Sequence, residues 1–274
     1  MCNITAGDVE LSLRKKFKKS MFSRFAKAVV EYELISAGDK IAVCMSGGKD
    51  SFALAKLFQE LKRHNKVPFE LVFLVMDPGY SPDNRAMIER NAELLDIPIT
   101  VFETDIFESV HGIGKSPCYL CARMRRGHLY HRAKDLGCNK IALGHHYDDV
   151  IETVLMGMLY GGQIQTMMPK VRSANFEGME LIRPMYLIRE STVKHWRDYN
   201  GLQFLQCACK FTENGEKNED DSKRRKMKRL IATLESEDAG VEQNIFRSVE
   251  NVNLKSIIEY KDKDGVRHRF TEDY

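Results

Sequence analysis

The chain has 274 residues, with 42 Lys and Arg against 39 Asp and Glu and 43% of its residues hydrophobic. That length allows one large domain or one domain with appendages, and that apolar content excludes a globally disordered or collagen-like chain. The longest apolar runs, such as Leu71 to Met76, fall far short of a membrane span, and residues 1–30 are basic without an apolar signal core, so a soluble cytoplasmic protein is expected.

In chain order, the first feature is charge. Leu11 to Lys27 holds seven basic residues, among them Lys15, Lys16, Lys18 and Lys19, and no acidic one, while Leu13, Phe17, Phe22 and Phe25 recur at near-helical spacing. A helix that packs one side and offers a cationic other side is predicted within residues 1–35. Lys40 to Met45 reads as a buried strand, and after Ser46-Gly47-Gly48 the stripe Phe52, Ala53, Leu54, Leu57, Phe58 and Leu61 predicts a helix. Strands follow at Phe69 to Met76, Ile99 to Glu103 and Lys140 to Leu143, with helices at Asp83 to Leu95, Leu129 to Leu136 and Val150 to Tyr160. Apolar strands alternating with helices predict an α/β fold for residues 36–210, a doubly wound parallel sheet covered on both faces. Residues 211–274 read as a charged helical extension. It carries six basic residues in the seven positions from Lys223 to Arg229, Arg224 and Arg225 among them, and Tyr260 to Tyr274 is either poorly ordered or a small add-on. A single such run is commonly a solvated helix face; two beside a nucleotide-type core favour a polyanionic partner.

Between the first strand and its helix stands Ser46-Gly47-Gly48-Lys49-Asp50-Ser51. Glycines there let backbone N–H groups approach a phosphate at a helix N-terminus, and two hydroxyls and an ammonium add donors. A tight turn capped by Asp50 or Ser51 would use the same residues, and the sequence fits neither G-x-x-x-x-G-K-[ST] nor G-x-G-x-x-G. Gly144-His145-His146-Tyr147-Asp148-Asp149 follows the fourth strand at the carboxyl edge, where open parallel sheets bind ligands, and Asp77 ends the second strand at the same edge. Paired carboxylates can hold Mg2+ on a triphosphate, handle protons or cap a helix. Arg125 and Arg126 can meet either a phosphate or a surface carboxylate.

Seven cysteines without an export signal point to thiols rather than disulfides. Cys44 and Cys138 read as packing residues; the close pairs are Cys118 with Cys121 and Cys207 with Cys209. A C-x-x-C can be a redox pair, half of a zinc site or part of an iron–sulfur site, and the four cysteines together could make a tetrathiolate zinc centre.

The S-G-G-K-D-S loop in its strand-loop-helix setting resembles the pyrophosphate loop of the ATP pyrophosphatase superfamily, whose members adenylate a carbonyl oxygen and release pyrophosphate. Cys118 to Gly127 with its Arg125-Arg126-Gly127, Gly144 to Asp149, Tyr160-Gly161-Gly162 and the later Cys207 are similar in order and spacing to the tRNA 2-thiocytidine synthetase family, over roughly residues 20 to 210. The resemblance implies an enzyme that adenylates O2 of an anticodon-loop cytidine in tRNA and replaces it with sulfur. It implies ATP and Mg2+ in a pocket of Ser46, Gly47, Gly48, Lys49, Asp50, Ser51, Asp77, Gly144 and His145, with Lys49, Asp50, Asp148 and Asp149 in the chemistry. It further implies a 4Fe-4S cluster on Cys118, Cys121 and Cys207, and a sulfur donor such as a cysteine desulfurase or free sulfide. A homodimer is compatible with all of this. Phosphate contacts from Lys15, Lys16, Lys18, Lys19, Arg125, Arg126, Arg224 and Arg225 would grip the tRNA. One departure stands out: the family usually shows Pro-Cys and a further C-x-x-C spacing, whereas this chain has Gln206 and Cys207-Ala208-Cys209, which leaves Cys207 and Cys209 as rivals for the third ligand. The alternatives are thiolation of another tRNA base and a zinc-stabilised nucleotide- or RNA-binding module.

Overall fold

The computed structural model describes residues 4–64, 67–110, 117–205 and 219–272, with Cys118 described by its backbone alone. The Thr5 hydroxyl accepts the Asp8 N–H while the Asp8 carboxylate accepts the Thr5 N–H, a capping box that starts α1 (Ala6–Arg14). A π-helical turn at Lys18–Phe22 then leads into α2 (Ser23–Glu31), with the Phe22 N–H reaching back to the Phe17 carbonyl. That turn resets the helical phase. The buried line is therefore Leu13, Phe17, Met21 and Phe25, and the expected Phe22 is displaced to a half-buried position. Lys15, Lys16, Lys18 and Lys19 stay exposed.

Ion pairs pin α1 to the main body. Its Glu10 accepts from Lys56 at 2.8 Å and from Arg63, and Arg14 lies 3.5 Å from the buried Glu60. Burial raises the Glu10 carboxyl, but hydrogen bonds from Arg63 and Lys56 outweigh it and bring its pKa from 4.5 down to about 2. A carboxyl depressed in the folded state lends stability above its unfolded pKa and loses it as pH falls toward the folded one. Glu10→Gln is thus expected to cost on the order of 3 kcal/mol at neutral pH, because it leaves the Lys56 ammonium buried without its carboxylate. The difference from wild type should shrink between about pH 4.5 and pH 2, a window read from these two pKa values and measurable by urea unfolding at pH 7 and pH 3.

One sheet contains β1 (Lys40–Met45), β2 (Glu70–Asp77), β3 (Ile99–Glu103), β4 (Lys140–Ala142), β5 (Lys170–Arg172) and β6 (Glu180–Ile182). Their order is β3-β2-β1-β4-β6-β5, parallel throughout except for β5. Successive side chains of a strand face opposite ways, so β1 feeds two cores. Ile41, Val43 and Met45 join Phe52, Phe58, Val75 and Trp196, whereas Ala42 and Cys44 join Leu74, Tyr130, Cys138 and Ile141. The chain runs outward from β1 through β2 to β3 and returns to β4 on the other side of β1, which makes the sheet doubly wound with its switch point between β1 and β4.

The covering helices are α3 (Lys49–His64), α4 (Pro82–Leu94), α5 (Ile106–Val110), α6 (Pro117–Asp135), α7 (Tyr147–Gly161) and α8 (Glu190–Tyr199). Helix α6 begins at Pro117, well before the predicted Leu129, and so carries Cys118 and Cys121 in its first turns. Arginines and Gly127 interrupt the apolar period there, which hid the helix; proline at its first position is the start signal that the sequence does contain. Residues 170–199, for which no element was predicted, supply β5, β6 and α8.

The chain divides into two compact units, Met1–Val150 with Met167–Lys223, and Ile151–Thr166 with Arg224–Tyr274. The second contains most of α9 (Glu219–Glu237), then α10 (Val241–Ser248) and a hairpin of β7 (Glu259–Lys261) and β8 (Arg267–Arg269). Met227, Ile231 and Phe246 are its buried apolar anchors, and Arg224 lies 3.7 Å from the buried Glu152.

Candidate active site at the switch point

The Ser46-to-Ser51 loop leaves β1 and enters α3. Gly47 has φ +84°, and a Cβ there would come within 2.7 Å of Leu205 and 2.8 Å of Ile88, so a side chain at this turn would strain the backbone and push those two side chains aside. Gly48 caps the helix: its carbonyl accepts the Ser51 hydroxyl at 2.8 Å and the Ser51 N–H at 3.1 Å. Ser51 is buried on this local bond, while Ser46 is exposed at the mouth of the loop. From the neighbouring strand, Gly144 packs against the first turn of α3; a Cβ on it would stand 3.1 Å from the Asp50 carbonyl oxygen. The two loops flanking the switch point therefore close into one crevice.

Lys49 reaches back across this crevice. Its Nζ lies 2.9 Å from Asp50 Oδ2 and 3.2 Å from Glu190 Oε1. Burial disfavours the ammonium, but the charges of Asp50 and then Glu190 more than offset this, and the Lys49 pKa is raised. The other Asp50 oxygen, Oδ1, is buried without a hydrogen-bond partner among the described residues. Glu190 was not predicted; it begins α8 and turns its second oxygen to Lys194 at 3.1 Å.

The acidic pair after β4 is strongly engaged. Asp148 Oδ2 accepts the Glu190 N–H at 2.7 Å, capping α8, and its Oδ1 lies 3.5 Å from Arg189. Asp149 Oδ2 accepts the His146 N–H at 3.0 Å, the back half of a capping box for α7, with His146 Nδ1 at 3.3 Å. Both carboxylates thus do helix-capping work at the carboxyl edge, where His145 is half-buried beside them. Asp77, at the end of β2, accepts the N–H groups of Gly79 at 2.9 Å and Tyr80 at 2.7 Å and pairs with Arg85 at 2.8 Å. Burial raises its carboxyl, and the Tyr80 N–H and Arg85 outweigh that and hold it below the usual range.

Tyr80 links the loop to the cysteine helix. Its hydroxyl donates to the Ser46 carbonyl at 3.4 Å and accepts from Arg125 Nη2 at 3.4 Å, and the Arg125 guanidinium sits 5.8 Å from the Phe107 ring centre. Arg126 turns away to the exposed side. Cys121 packs among Met76, Ile106 and Met124 near the end of β2, and Cys118 lies one helical turn before it. Among the described residues no group of three His, Cys, Asp or Glu could hold a metal ion. Cys207 and Cys209 lie outside the described residues; the described chain before them ends at Leu205, whose N–H donates to the Gly47 carbonyl at 3.2 Å. Cys44 and Cys138 are core residues as expected, and burial pushes the Cys44 thiol up to about 12. Of the basic residues, Lys16 rests its ammonium 4.0 Å above the Tyr199 ring, Arg14 is committed to Glu60, and Arg224 and Arg225 belong to the second unit. No described helix is long and apolar enough to cross a membrane.

Residues 17–231 match the PP-loop domain family. The chain is 35% identical over 259 residues to the tRNA-cytidine(32) 2-sulfurtransferase of Syntrophotalea carbinolica, covering 93% of this chain and 96% of that one. It is 34% identical over 248 residues to the protein of the same name from Geobacter sulfurreducens, covering 89% and 93%. Among solved structures, the U34-tRNA thiolase NcsA of Methanococcus maripaludis with its [4Fe-4S] cluster shares the fold, with a TM-score of 0.66 over 88% of this chain and 80% of that one at 22% identity. Sequence relatives matched over nearly their whole length and a PP-loop crevice at the switch point place the chain in the tRNA-cytidine(32) 2-sulfurtransferase family of PP-loop enzymes.

Proposed function

We propose that this protein is an ATP-dependent tRNA sulfurtransferase that converts a cytidine of the anticodon loop, position 32 by its relatives' name, to 2-thiocytidine. The observation that carries the reading is the approach of Gly144 to Asp50, which gathers the S-G-G-K-D-S loop and the Asp148-Asp149 corner around one crevice. The loop's N–H groups, the N-terminus of α3 and the Lys49 ammonium would receive the pyrophosphate end of ATP. Mg2+ on a triphosphate needs only one or two carboxylates from a protein, and the unpartnered Asp50 oxygen fits that role. The O2 of the cytidine attacks the α-phosphorus, forming an O–P bond as the bond to pyrophosphate breaks. Hydrosulfide then attacks C2, the C–O bond breaks, and AMP leaves with the old O2. Sulfur remains at its −2 state, so neither step requires an oxidant. Anticodon-loop bases can be splayed out of the stack, which suits a base that must enter a crevice.

Cys118 and Cys121, one turn apart, fit two of the three thiolates of a 4Fe-4S site. Cys207 is proposed as the third, with Cys209 its rival, because both follow in sequence the segment whose Leu205 N–H holds the Gly47 carbonyl of the phosphate loop. A cluster held there would supply sulfide, taken up as free sulfide or from a cysteine desulfurase whose persulfide sulfur a thiol reductant brings to the −2 state. Labelled ATP incubated with unmodified tRNA should give AMP and pyrophosphate. ADP and phosphate as the sole products would overturn the adenylation step.

The exposed lysines of the N-terminal helices, with Arg225 and its neighbours on α9, would act on tRNA through phosphates. Reversing Lys15, Lys16, Lys18 and Lys19 to Glu is expected to weaken tRNA binding and flatten its salt dependence, since each phosphate contact contributes roughly one unit to the log–log salt slope. ATP affinity should not move. Unchanged tRNA affinity at every salt concentration would return this run to a solvated helix face.

A further inference from the structure

Glu190 sits where three elements meet. It begins α8, its N–H donates to Asp148 Oδ2 at 2.7 Å, and the Ile188 carbonyl just before it accepts the Tyr147 N–H at 2.9 Å, so the starts of α7 and α8 are tied together. Val193 and Trp196, both fully buried, anchor α8 in the main core. A carboxylate mounted in this way is a fixed point, whereas lysine carries its charge on a flexible four-carbon stem. Glu190 divides its oxygens between two such lysines. Oε1 lies 3.2 Å from Lys49 Nζ, and Oε2 lies 3.1 Å from Lys194 Nζ, one turn further along α8. The Glu190 and Lys49 side chains are 13% and 19% exposed and Lys194 44%, so the pair on the phosphate loop is sheltered and Lys194 stands at the rim. Among the described residues Lys49 pairs with no carboxylate besides Asp50 and Glu190, and Lys194 with none besides Glu190. An acid in the first turn of a helix with a lysine four residues on is an ordinary surface pairing. This one differs because the same carboxylate also holds the ammonium of the phosphate loop.

We infer that Glu190 is the positioning residue for Lys49 and that Lys194 is its counter-charge: Glu190 holds the ammonium in place until a polyphosphate binds, and Lys194 keeps Glu190 neutralised once the polyphosphate has taken Lys49. Without that second lysine the exchange would be self-defeating. A phosphate oxygen and Glu190 drawn to one ammonium stand no more than about 6 Å apart, where two like charges away from bulk water repel appreciably. The naming of the polyphosphate as ATP rests on the function proposed above, whereas the exchange of partners does not.

The test uses the full-length chain as wild type, Glu190→Gln, Lys194→Met, Lys194→Arg and the double variant Glu190→Gln with Lys194→Met. Binding of ATP and of AMP is measured by calorimetry and AMP formation in a single turnover with unmodified tRNA by radiolabel, with melting midpoints in parallel. Lys194→Met should weaken ATP about 10-fold, the scale of one uncompensated charge in a partly screened crevice, and leave AMP, which lacks the β- and γ-phosphates, unchanged. In the double variant the ATP loss should vanish, since the carboxylate that Lys194 answers is gone. Lys194→Arg should bind as wild type does. Glu190→Gln should bind ATP at least as tightly as wild type yet form AMP about 10-fold more slowly, a split between affinity and rate that lost packing would not give. The inference fails if Lys194→Met binds ATP as wild type does, or if the double variant loses as much as Lys194→Met, which would make Lys194 a direct phosphate contact. It fails equally if Glu190→Gln forms AMP at the wild-type rate, or loses affinity and rate together with a lowered melting midpoint, which would make Glu190 a strut between α7 and α8. A wild-type protein that binds ATP yet forms no AMP with tRNA would sink the proposed function, and the ATP affinities of the Lys194 variants would still decide this inference.

Discussion

Lys49→Ala is expected to lower single-turnover formation of AMP and pyrophosphate by about 10²- to 10³-fold, the range seen when one preorganised donor to a developing charge is removed. The loss has two parts. The ammonium lies 2.9 Å from Asp50 and 3.2 Å from Glu190, so its removal leaves two facing carboxylates where the triphosphate is proposed to enter. It also removes the only side-chain cation within the Ser46-to-Ser51 loop. Since the raised pKa keeps Lys49 charged across the neutral range, its contribution should be insensitive to pH between 6 and about 9, near the unperturbed lysine range. Pairing Lys49→Ala with Glu190→Gln separates the parts: the double variant should recover ATP binding by relieving repulsion, and should stay slow in turnover. Wild-type turnover in Lys49→Ala would remove Lys49 from the chemistry.

Cys118→Ala and Cys121→Ala should each abolish thiolation of tRNA and the visible absorbance of anaerobically reconstituted protein, which should otherwise hold about four irons per chain, as a cubane requires. ATP binding should survive, because the crevice proposed for the nucleotide is built from the loops after β1 and β4. Cys44→Ala serves as the control. That thiol is buried among Leu74, Tyr130 and Cys138 with its pKa near 12, so its loss should leave colour and activity intact. Comparing Cys207→Ala with Cys209→Ala assigns the third ligand. Stoichiometric zinc in a fully active enzyme would refute the cluster.

Periodicity and loop chemistry made much of this protein legible without a structure. Parallel strands are covered on both faces and so must be apolar without interruption, which is why β1 and β2 could be read within a residue of their ends. The glycines of the Ser46-to-Ser51 turn were legible because a strand-to-helix turn of this kind needs a residue free to take a positive φ, and Gly47 at φ +84° with Leu205 and Ile88 against it meets that demand. Helix α6 was half-hidden because its arginines break the apolar period on which a helix is recognised. The π turn exchanged Phe22 for Met21 in the core, a phase shift that spacing alone does not record. What the chain order by itself could not supply was partnership between distant segments. Glu190 reaches Lys49 across 141 positions, and Tyr80 joins Ser46 to Arg125. Sequence patterns report local demands on each residue's own surroundings; the pairing of strands decides which remote charges share a crevice, and that is a property of the folded sheet.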